Sequence, residues 1–495
     1  MKTWKQNFTV VAIAAITVLT LSTCFSDWKD TGNLIINLGG SGGRSIYSME
    51  WPPVKILNDI DYVITLTGKG ETITIPAQDG KTIKTLPAQD GKIRAAVSAG
   101  LWDVELIAYY DGELYATGTS NEPVDVIAGQ TTNVPISMNR AFTYTDFDVY
   151  DSETWTAAVK EINRGGNGTN NSRKTYNINV TGSFNIPGVT GYTFSAAYIT
   201  VNITGEGTIS LSSTGSLLRI SANQTVTMDG ITLRGLGTEV NNTTSLVSIN
   251  GGTFNMKGGE VSGNRVNGDC GGVNVYGTFT MSGGKVSDNR ANGGGGGVFI
   301  ADGIFTMSGG EVSYNTAGNG GGVNVNTSGT FIMDGGKISG NISDVTNHEF
   351  GGGVCVNGDG TFTMLSGEVS GNTAVNGGGV FVGKNCTFTM LGGEVFGNSA
   401  SYGGGVCVGT TETGGSGTFR IVTGTVYGSG EENKNNTTEG GQGAALYITN
   451  GTAEYGTFRD PNDPSSTWIG TPIPMNSGSN YARDATIEVV DGELQ

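Results

Sequence analysis

A repeat of about 26 residues, centred on a phenylalanine, constrains this chain more than any other feature of its sequence. The intervals between successive members are 25, 26, 26, 31, 26 and 31 residues. Its members are Phe254, Phe279, Phe305, Phe331, Phe362, Phe388 and Phe419. A fixed period of this length is typical of a solenoid, in which each unit buries its apolar face against the next unit. The repeat therefore predicts a stack of coils.

Other apolar residues hold fixed positions relative to each phenylalanine. A methionine follows two residues later in six repeats, and valine or isoleucine follows seven residues later in all seven. A glycine cluster then leads into another alternating strand, as at Val298 and Ile300. Alternation with period two places these residues on one face, which must be the inner one. We predict an all-β fold, a right-handed parallel β-helix with three strands per coil.

The composition agrees with repetitive β structure and excludes one class of partner. The 495 residues include 84 glycines, and only 14% of them are charged. The formal net charge is −17, and the sequence has no cluster of Lys and Arg. A protein that follows a phosphate backbone needs a basic stripe, so no nucleic acid is expected as a partner.

Residues 1–24 are typical of a secretory signal. Lys2 and Lys5 precede an apolar run from Phe8 to Leu21, which is too short to span a bilayer comfortably. The run ends in Leu21-Ser22-Thr23-Cys24, which resembles a bacterial lipobox, although Thr23 departs from the usual Gly, Ala or Ser. The resemblance implies that the Cys24 thiol is lipidated and becomes the mature N-terminus. The alternative is an ordinary cleaved signal peptide and a secreted protein.

Residues 31–140 are predicted to form a small β-sandwich that resembles Ig-like or prealbumin-like modules. Short alternating runs such as Trp102 to Leu106 are separated by turn pairs. The pairs Asp79-Gly80, Asp90-Gly91 and Asp111-Gly112 suit hairpins, because Asp and Gly tolerate positive φ. No constellation in this module points to chemistry, and we interpret it as a spacer.

Residues 141–495 are assigned to the β-helix, with an N-terminal cap helix at about 152–163. Trp155, Ala158 and Ile162 share one helical face, and a glycine pair follows at Gly165 and Gly166. The open end of a repeat array exposes apolar residues, and a short amphipathic helix would cover them.

An asparagine stands ten residues after six of the phenylalanines. These residues are Asn264, Asn289, Asn315, Asn341, Asn372 and Asn398. Asparagine tolerates left-handed backbone, and its amide can bond the same residue of the next coil. The column is therefore predicted to be a structural ladder at a bend.

The segments GGGV, TFTM and VSGN, repeated over about residues 245–430, resemble the repeats of polymorphic outer-membrane proteins in the pectin-lyase-like β-helix superfamily. The repeats of that family carry GGAI and FxxN, whereas this chain has GGGV and mostly VxxN. The resemblance implies a β-helix, and it raises the alternative of a polysaccharide lyase or hydrolase acting on an acidic or neutral glycan. Enzymes of the superfamily use Asp clusters, Ca²⁺ and an Arg or Lys base.

The carboxylates of the repeats do not favour that alternative. They fall at different positions of the repeat and are not expected to converge on one site. The residues concerned are Asp269, Asp302, Asp334, Asp344 and Asp359. We therefore assign no catalytic, metal-binding or cofactor-binding residue, and expect no cofactor.

Two outward columns have simple structural interpretations. Six residues after the first six phenylalanines stand Glu260, Lys285, Glu311, Lys337, Glu368 and Glu394, and the opposite signs on neighbouring coils from Glu260 to Glu368 favour correct register. The Thr-Phe-Thr triplets resemble the TxT arrays of ice-binding β-helices. Asn255, Ile304, Ile332 and Arg420 interrupt this array, and Thr is a favoured strand residue.

The cysteines and the single histidine offer little chemistry. Cys355 and Cys407 hold the same repeat position two coils apart, which is about 10 Å and beyond disulfide reach. We expect free thiols at these positions and at Cys270 and Cys386. His348 is predicted to be a loop residue.

The sequence thus predicts a non-enzymatic surface lipoprotein, an adhesin or binding protein with a host protein or glycan as partner. Its location would be the outer membrane or cell surface, or the exterior if Cys24 is not lipidated. Specific recognition would concentrate in the insertions around 341–350, 409–417 and 428–440, because loops tolerate variation.

Replacing Cys24 by alanine is expected to abolish incorporation of a fatty-acid analogue and to move the chain out of the membrane fraction. Two or more acyl chains anchor a protein stably, and the variant would have none. Unchanged labelling and fractionation would contradict the lipoprotein assignment.

Overall fold

The computed structural model describes the chain in segments, and the statements below concern these alone. They are residues 31–37, 60–68, 70–76, 86–87, 92–110, 113–136, 139–140, 144–237, 239–343, 350–409, 416–430, 434, 436–449, 451–458, 467–475 and 482–495. They divide into two compact units, one before and one after residue 143. The fold is nearly all-β, with 57% strand and 4% helix.

The first unit contains two sheets with buried residues alternating along their strands. One sheet has three strands, in the order Lys92–Ser98, Thr31–Asn37 and Thr131–Pro135. The other sheet contains Asn139–Arg140, Glu113–Thr119, Gly100–Tyr110, Ile60–Gly68 and Glu71–Ile75, with Leu86–Pro87 and Val124–Val126 at its sides. Leu34, Ile64, Trp102 and Leu106 are fully buried. This two-sheet pattern is that of the predicted β-sandwich.

The second unit is a parallel β-solenoid. Its longest sheet, called the long sheet, has 23 strands, of which one column contains the phenylalanines. Four strands precede the first phenylalanine strand in this column, and one follows the last. In chain order the column contains Asp146–Val149, Lys174–Val180, Ile199–Gly205, Gln224–Asp229, Thr253–Met256, Thr278–Met281, Ile304–Met307, Thr330–Ser339, Thr361–Ser370, Thr387–Met390, Gly417–Ile421 and Gly451–Phe458.

A second column of the long sheet carries the valines that follow seven residues after each phenylalanine. Its separate strands are Phe184–Ile186, Thr208–Leu211, Thr232–Arg234, Glu260–Ser262, Lys285–Ser287, Glu311–Ser313, Glu394–Phe396 and Gly424–Val426. In two coils the strands of both columns join into Thr330–Ser339 and Thr361–Ser370.

The second sheet follows the glycine clusters and has ten strands. They are Leu218–Ser221, Val247–Asn250, Val273–Val275, Val298–Ala301, Val323–Asn326, Val354–Val356, Val380–Val382, Val406–Val408, Leu446–Ile448 and Ala482–Arg483. Together with the two columns of the long sheet, it supplies the three predicted strands of each coil.

A third sheet adds a fourth strand of two residues to five coils. Its strands are Asn241–Asn242, Arg265–Val266, Arg290–Ala291, Thr316–Ala317 and Ile342–Ser343. A further pair, Ser399–Tyr402 and Thr437–Gln442, occurs nearer the C-terminus. The repeat did not predict these strands, because two residues are too few for an alternating pattern to be visible.

Identical residues stack inside the coils. Each ring of the phenylalanine column lies against the next, from Phe254 to Phe419. From Phe279 to Phe388 the ring centroids are 4.6–4.8 Å apart and the ring planes are within 6–9° of parallel. All seven rings are fully buried, as the sequence predicted for inward residues.

The helix Ser152–Arg164 lies at the N-terminal side of this core. Asp151 caps it by accepting a hydrogen bond from the Thr154 amide at 2.8 Å, which lowers the pKa of the Asp151 carboxyl. Trp155, Ala158 and Ile162 belong to the core cluster of the solenoid. The helix thus buries its apolar face against the first coils.

Strands of opposite direction finish the C-terminal side. Trp468–Pro472 pairs antiparallel with Gly451–Phe458, and Ala482–Arg483 pairs antiparallel with Leu446–Ile448. Ile487–Val490 pairs antiparallel with both Gly424–Val426 and the terminal strand Glu493–Leu494.

Phe331→Asp is expected to lower the free energy of unfolding by about 4 kcal/mol or more, because it removes a stacked ring and buries an unpaired carboxylate. The matched control is Thr330→Asp, whose side chain lies on the outer face. The control should change stability by less than about 1 kcal/mol. Urea unfolding followed by circular dichroism measures both, and equal stability of the two variants would contradict the inward assignment of the column.

Candidate binding surface

The outer face of the second sheet is closed by a further apolar layer. Phe299, Cys355, Phe381 and Cys407 lie at outward positions of this sheet, yet all are buried. Phe350 packs over Cys355, Phe381 and Cys407, with its ring centroid 4.4 Å from that of Phe381, and Cys270 packs against Phe299. The chain that leads into each glycine cluster therefore covers this face.

The glycine clusters allow that close approach. Gly351 has φ of 65°, and a Cβ atom there would lie 2.3 Å from the Val354 carbonyl oxygen and 2.7 Å from the Cα of Cys355. Gly403 repeats this geometry against Val406. Only glycine combines the positive φ with so short a distance. The clusters thus fold the chain back onto the second sheet.

Burial also makes the thiols unreactive, in the covered layer for Cys270, Cys355 and Cys407 and in the solenoid core for Cys386. All four described cysteines are free, as predicted, and all are buried. Burial raises the pKa of the Cys270 thiol well above its ordinary value, and it raises the pKa of Cys407 to about 12. A buried, protonated thiol is a poor nucleophile and a poor metal ligand.

The outer face of the phenylalanine column is partly exposed, and two columns of neutral side chains follow it, of which Thr389 alone is buried. Ten of the eleven members of the first column are threonine: Thr175, Thr200, Thr225, Thr253, Thr278, Ile304, Thr330, Thr361, Thr387, Thr418 and Thr452. The second column contains Asn177, Asn202, Thr227, Asn255, Thr280, Thr306, Ile332, Thr363 and Thr389. We call the two columns the neutral strip.

Charged residues mark the two ends of the second column. Asp146 lies one coil before Asn177 and accepts a hydrogen bond from its amide. At the other end Arg420 lies 5.4 Å from the ring of Trp468, whose indole N–H donates to Glu454. Between these ends neither column carries a charge.

The charged column beside the strip forms ion pairs between neighbouring coils. Lys285 lies 3.4 Å from Glu311, and Lys337 lies 3.0 Å from Glu368, as the alternating signs predicted. Burial acts to raise the pKa of Glu311, but a hydrogen bond from Ser339 and the charge of Lys285 lower it overall. Such partly exposed pairs contribute little stability and mainly favour the correct register.

The predicted asparagine column is a buried chain of amides. From Asn289 to Asn398 each amide nitrogen donates to the side-chain oxygen of the next member at 2.9–3.2 Å. That oxygen also accepts the backbone N–H of the preceding asparagine, as Asn315 does from Asn289. We call this column the asparagine ladder.

The ladder has two members that the sequence did not indicate. Asn242 donates to Asn264 at 3.0 Å, and Asn398 donates to Asn436 at 3.0 Å. They lie 22 and 38 residues from their neighbours rather than about 26. An asparagine before threonine, as at Asn315 and Asn372, is the only signal that they share with other members.

The described aspartates of the repeats have separate surroundings. Asp302 and Asp359 have positive φ, and Asp269 accepts a hydrogen bond from the Gly294 amide. Asp334 lies 3.5 Å from the Ser366 hydroxyl. Within the described segments, no group of three or more His, Cys, Asp and Glu residues could hold a metal ion.

Several predicted features lie outside the described residues. They include Cys24, Asp344, His348 and the central parts of the three insertions, 344–349, 410–415 and 431–433. The coils on both sides of each insertion remain in register, as Phe331 with Phe362 and Phe388 with Phe419.

A scan of protein-family models, a search of curated proteins and a search of solved structures each found no match to this chain. In the described part of the chain, no helix has the length and apolar character needed to cross a bilayer.

Asn315→Leu is expected to lower the free energy of unfolding by about 3 kcal/mol, because it leaves several buried groups without partners. The side-chain amide and backbone N–H of Asn289 lose their acceptor, and the Val286 carbonyl loses its donor. The control is Asn292→Leu, which removes only an exposed bond to Asn267. Thermal and urea unfolding should separate the two variants, and equal stabilities would contradict a stabilising role for the ladder.

Proposed function

We propose that this chain is a lipid-anchored, non-enzymatic binding protein of the adhesin type, displayed at the outer membrane or cell surface. The observation that carries the proposal is the neutral strip, a partly exposed face that repeats similar side chains in coil after coil. Such a face offers many equivalent contacts to an extended partner. A catalytic site instead needs a few different groups converging on one point.

The composition of the strip suits binding. Hydroxyl, amide and methyl groups lose less favourable hydration than charges do when a partner covers them. Threonine and isoleucine are stiff at χ1, so their ordering on binding costs little entropy. The stacked coils beneath hold these side chains at fixed spacing.

The finer assignments rest on the sequence. The GGGV and TFTM segments support membership of the pectin-lyase-like superfamily, with repeats like those of polymorphic outer-membrane proteins. The apolar segment that ends at Cys24 supports export and lipidation. On this proposal the sandwich is a spacer, and the partner is a host protein or glycan.

The proposal is tested on an array of matrix proteins and glycans with the full chain and two double variants. Thr280→Lys with Thr363→Lys places two charges on the strip. We expect at least about a tenfold loss of affinity, about 1.4 kcal/mol, because each ammonium would be covered without a partner.

The matched control places the same two charges on another face of the solenoid. Thr316→Lys with Thr373→Lys lies on the outward column of the third sheet. Its binding should equal that of the unmodified chain. Cleavage of a polysaccharide in a parallel degradation assay, or equal losses in both double variants, would contradict the proposal.

A further inference from the structure

The repeat changes its residues at one place on the outer face of the long sheet. In five successive coils a serine follows the inward valine or isoleucine of the second column: Ser262, Ser287, Ser313, Ser339 and Ser370. The next coil has Phe396, in register with Ser370. One coil further on, Tyr427 follows Val426, and its amide donates to the Val395 carbonyl. Two aromatic rings therefore stand on neighbouring coils where serine is expected.

The same place changes the pattern of charges. Glu394 pairs in register with Glu368, which already contacts Lys337, and on its other side with Thr425. The neighbours of Glu394 in the charged column are thus a like charge and a neutral residue. Its counter-charge has to come from outside the column.

Glu394, Phe396 and Tyr427 surround one ammonium group. The Nζ of Lys434, a residue of the insertion 428–440, donates to Glu394 at 2.7 Å and to the Tyr427 hydroxyl at 3.1 Å. It lies 4.7 Å from the ring centroid of Tyr427 and 5.0 Å from that of Phe396. The two ring planes meet at 78°, and the Tyr427 hydroxyl donates to Glu394 at 2.9 Å. We call these three residues the ammonium site.

The contacts of Lys434 can be replaced. Its side chain is 38% exposed and that of Glu394 is 36% exposed, and ion pairs that face water contribute little stability. The Lys434 carbonyl accepts a hydrogen bond from the Gly397 amide, which the side chain does not need in order to turn away. Burial acts to raise the pKa of Glu394, but hydrogen bonds from Lys434 and Tyr427 lower it overall.

We propose that the ammonium site binds a methylated ammonium group of an external ligand, and that Lys434 occupies the site when the ligand is absent. Aromatic faces attract cations through the ring quadrupole, and quaternary ammonium ligands are recognised in this way. A primary amine would repeat the contacts of Lys434 and would compete poorly with a group tethered to the same chain. The lysine ammonium is strongly hydrated, so a methylated group gains more from two aromatic walls.

The site is separate from the neutral strip, because its residues follow the valines rather than the phenylalanines. Ligand binding here is therefore independent of the partner proposed for the strip. The formal net charge of −17 also favours a cationic ligand over an anionic one.

The experiment is a titration of phosphocholine followed by ligand NMR signals, with the full chain carrying Cys24→Ala in every arm. Lys434→Gln empties the site and should bind at least about tenfold more tightly than the chain that keeps Lys434. In the Lys434→Gln background, Phe396→Leu keeps apolar bulk but removes the ring, and should weaken binding at least about fivefold. The matched control is Tyr402→Leu in the same background, which removes an exposed ring of another strand and should leave binding unchanged.

Two further ligands and one variant complete the test. Trimethyllysine carries the same group on a peptide-type side chain, and binding of either methylated ligand supports the site. Dimethylbutanol, the neutral analogue of choline, should not bind at the same concentrations. Glu394→Gln keeps the size of the side chain but removes its charge, and should abolish binding in the Lys434→Gln background.

Circular dichroism and the thermal midpoint verify that the variants are folded. The inference would be overturned if neither methylated ligand bound to Lys434→Gln, or if dimethylbutanol bound equally well. Equal affinities of Phe396→Leu and Tyr402→Leu would also overturn it. So would equal affinities of the chains with and without Lys434, because Lys434 would then not compete for the site.

Discussion

In-register pairing between successive coils is the constraint on which the rest of this structure depends. A single coil of about 26 residues buries too few apolar groups to offset its conformational entropy, so stability must come from contact with its neighbours. The phenylalanine stack supplies ring contacts worth about 0.5–1.5 kcal/mol each beyond burial. The asparagine ladder favours one register between coils, because a slipped coil would leave buried amides without hydrogen-bond partners.

The sequence predicts the features that repeat and fails where the repeat is irregular. The inward columns, the Ser152 helix and six ladder members follow from spacing alone, and the structure has them there. Asn242 and Asn436 were missed because unequal loops precede them. The covering of the second sheet was missed for a different reason. Cys355 and Phe381 alternate with inward valines and appear outward, and only the folded-back chain reveals their burial.

The neutral strip illustrates the same limit. Read from the phenylalanine repeats alone, the threonine array appears short and interrupted. Strand pairing adds Thr175, Thr200 and Thr225, which are followed by Tyr176, Val201 and Val226 instead of phenylalanine, and it separates the interruptions into two columns. One column is then nearly all threonine. The sequence does not show which residues of successive coils pair through backbone hydrogen bonds, and this pairing is what aligns the threonines in one column.

The reversal of strand direction at the C-terminal side has a consequence for self-assembly. A parallel solenoid that ended on an open coil would offer a template onto which the first coil of another molecule could add, and growth would continue into a fibre. Ile487–Val490 and Ala482–Arg483 instead pair with the last coils in the antiparallel sense. These edge strands have only two to four residues, and short edge strands are poor templates for an incoming strand. Addition of a further molecule at that side is therefore disfavoured by the shortness of its edge strands.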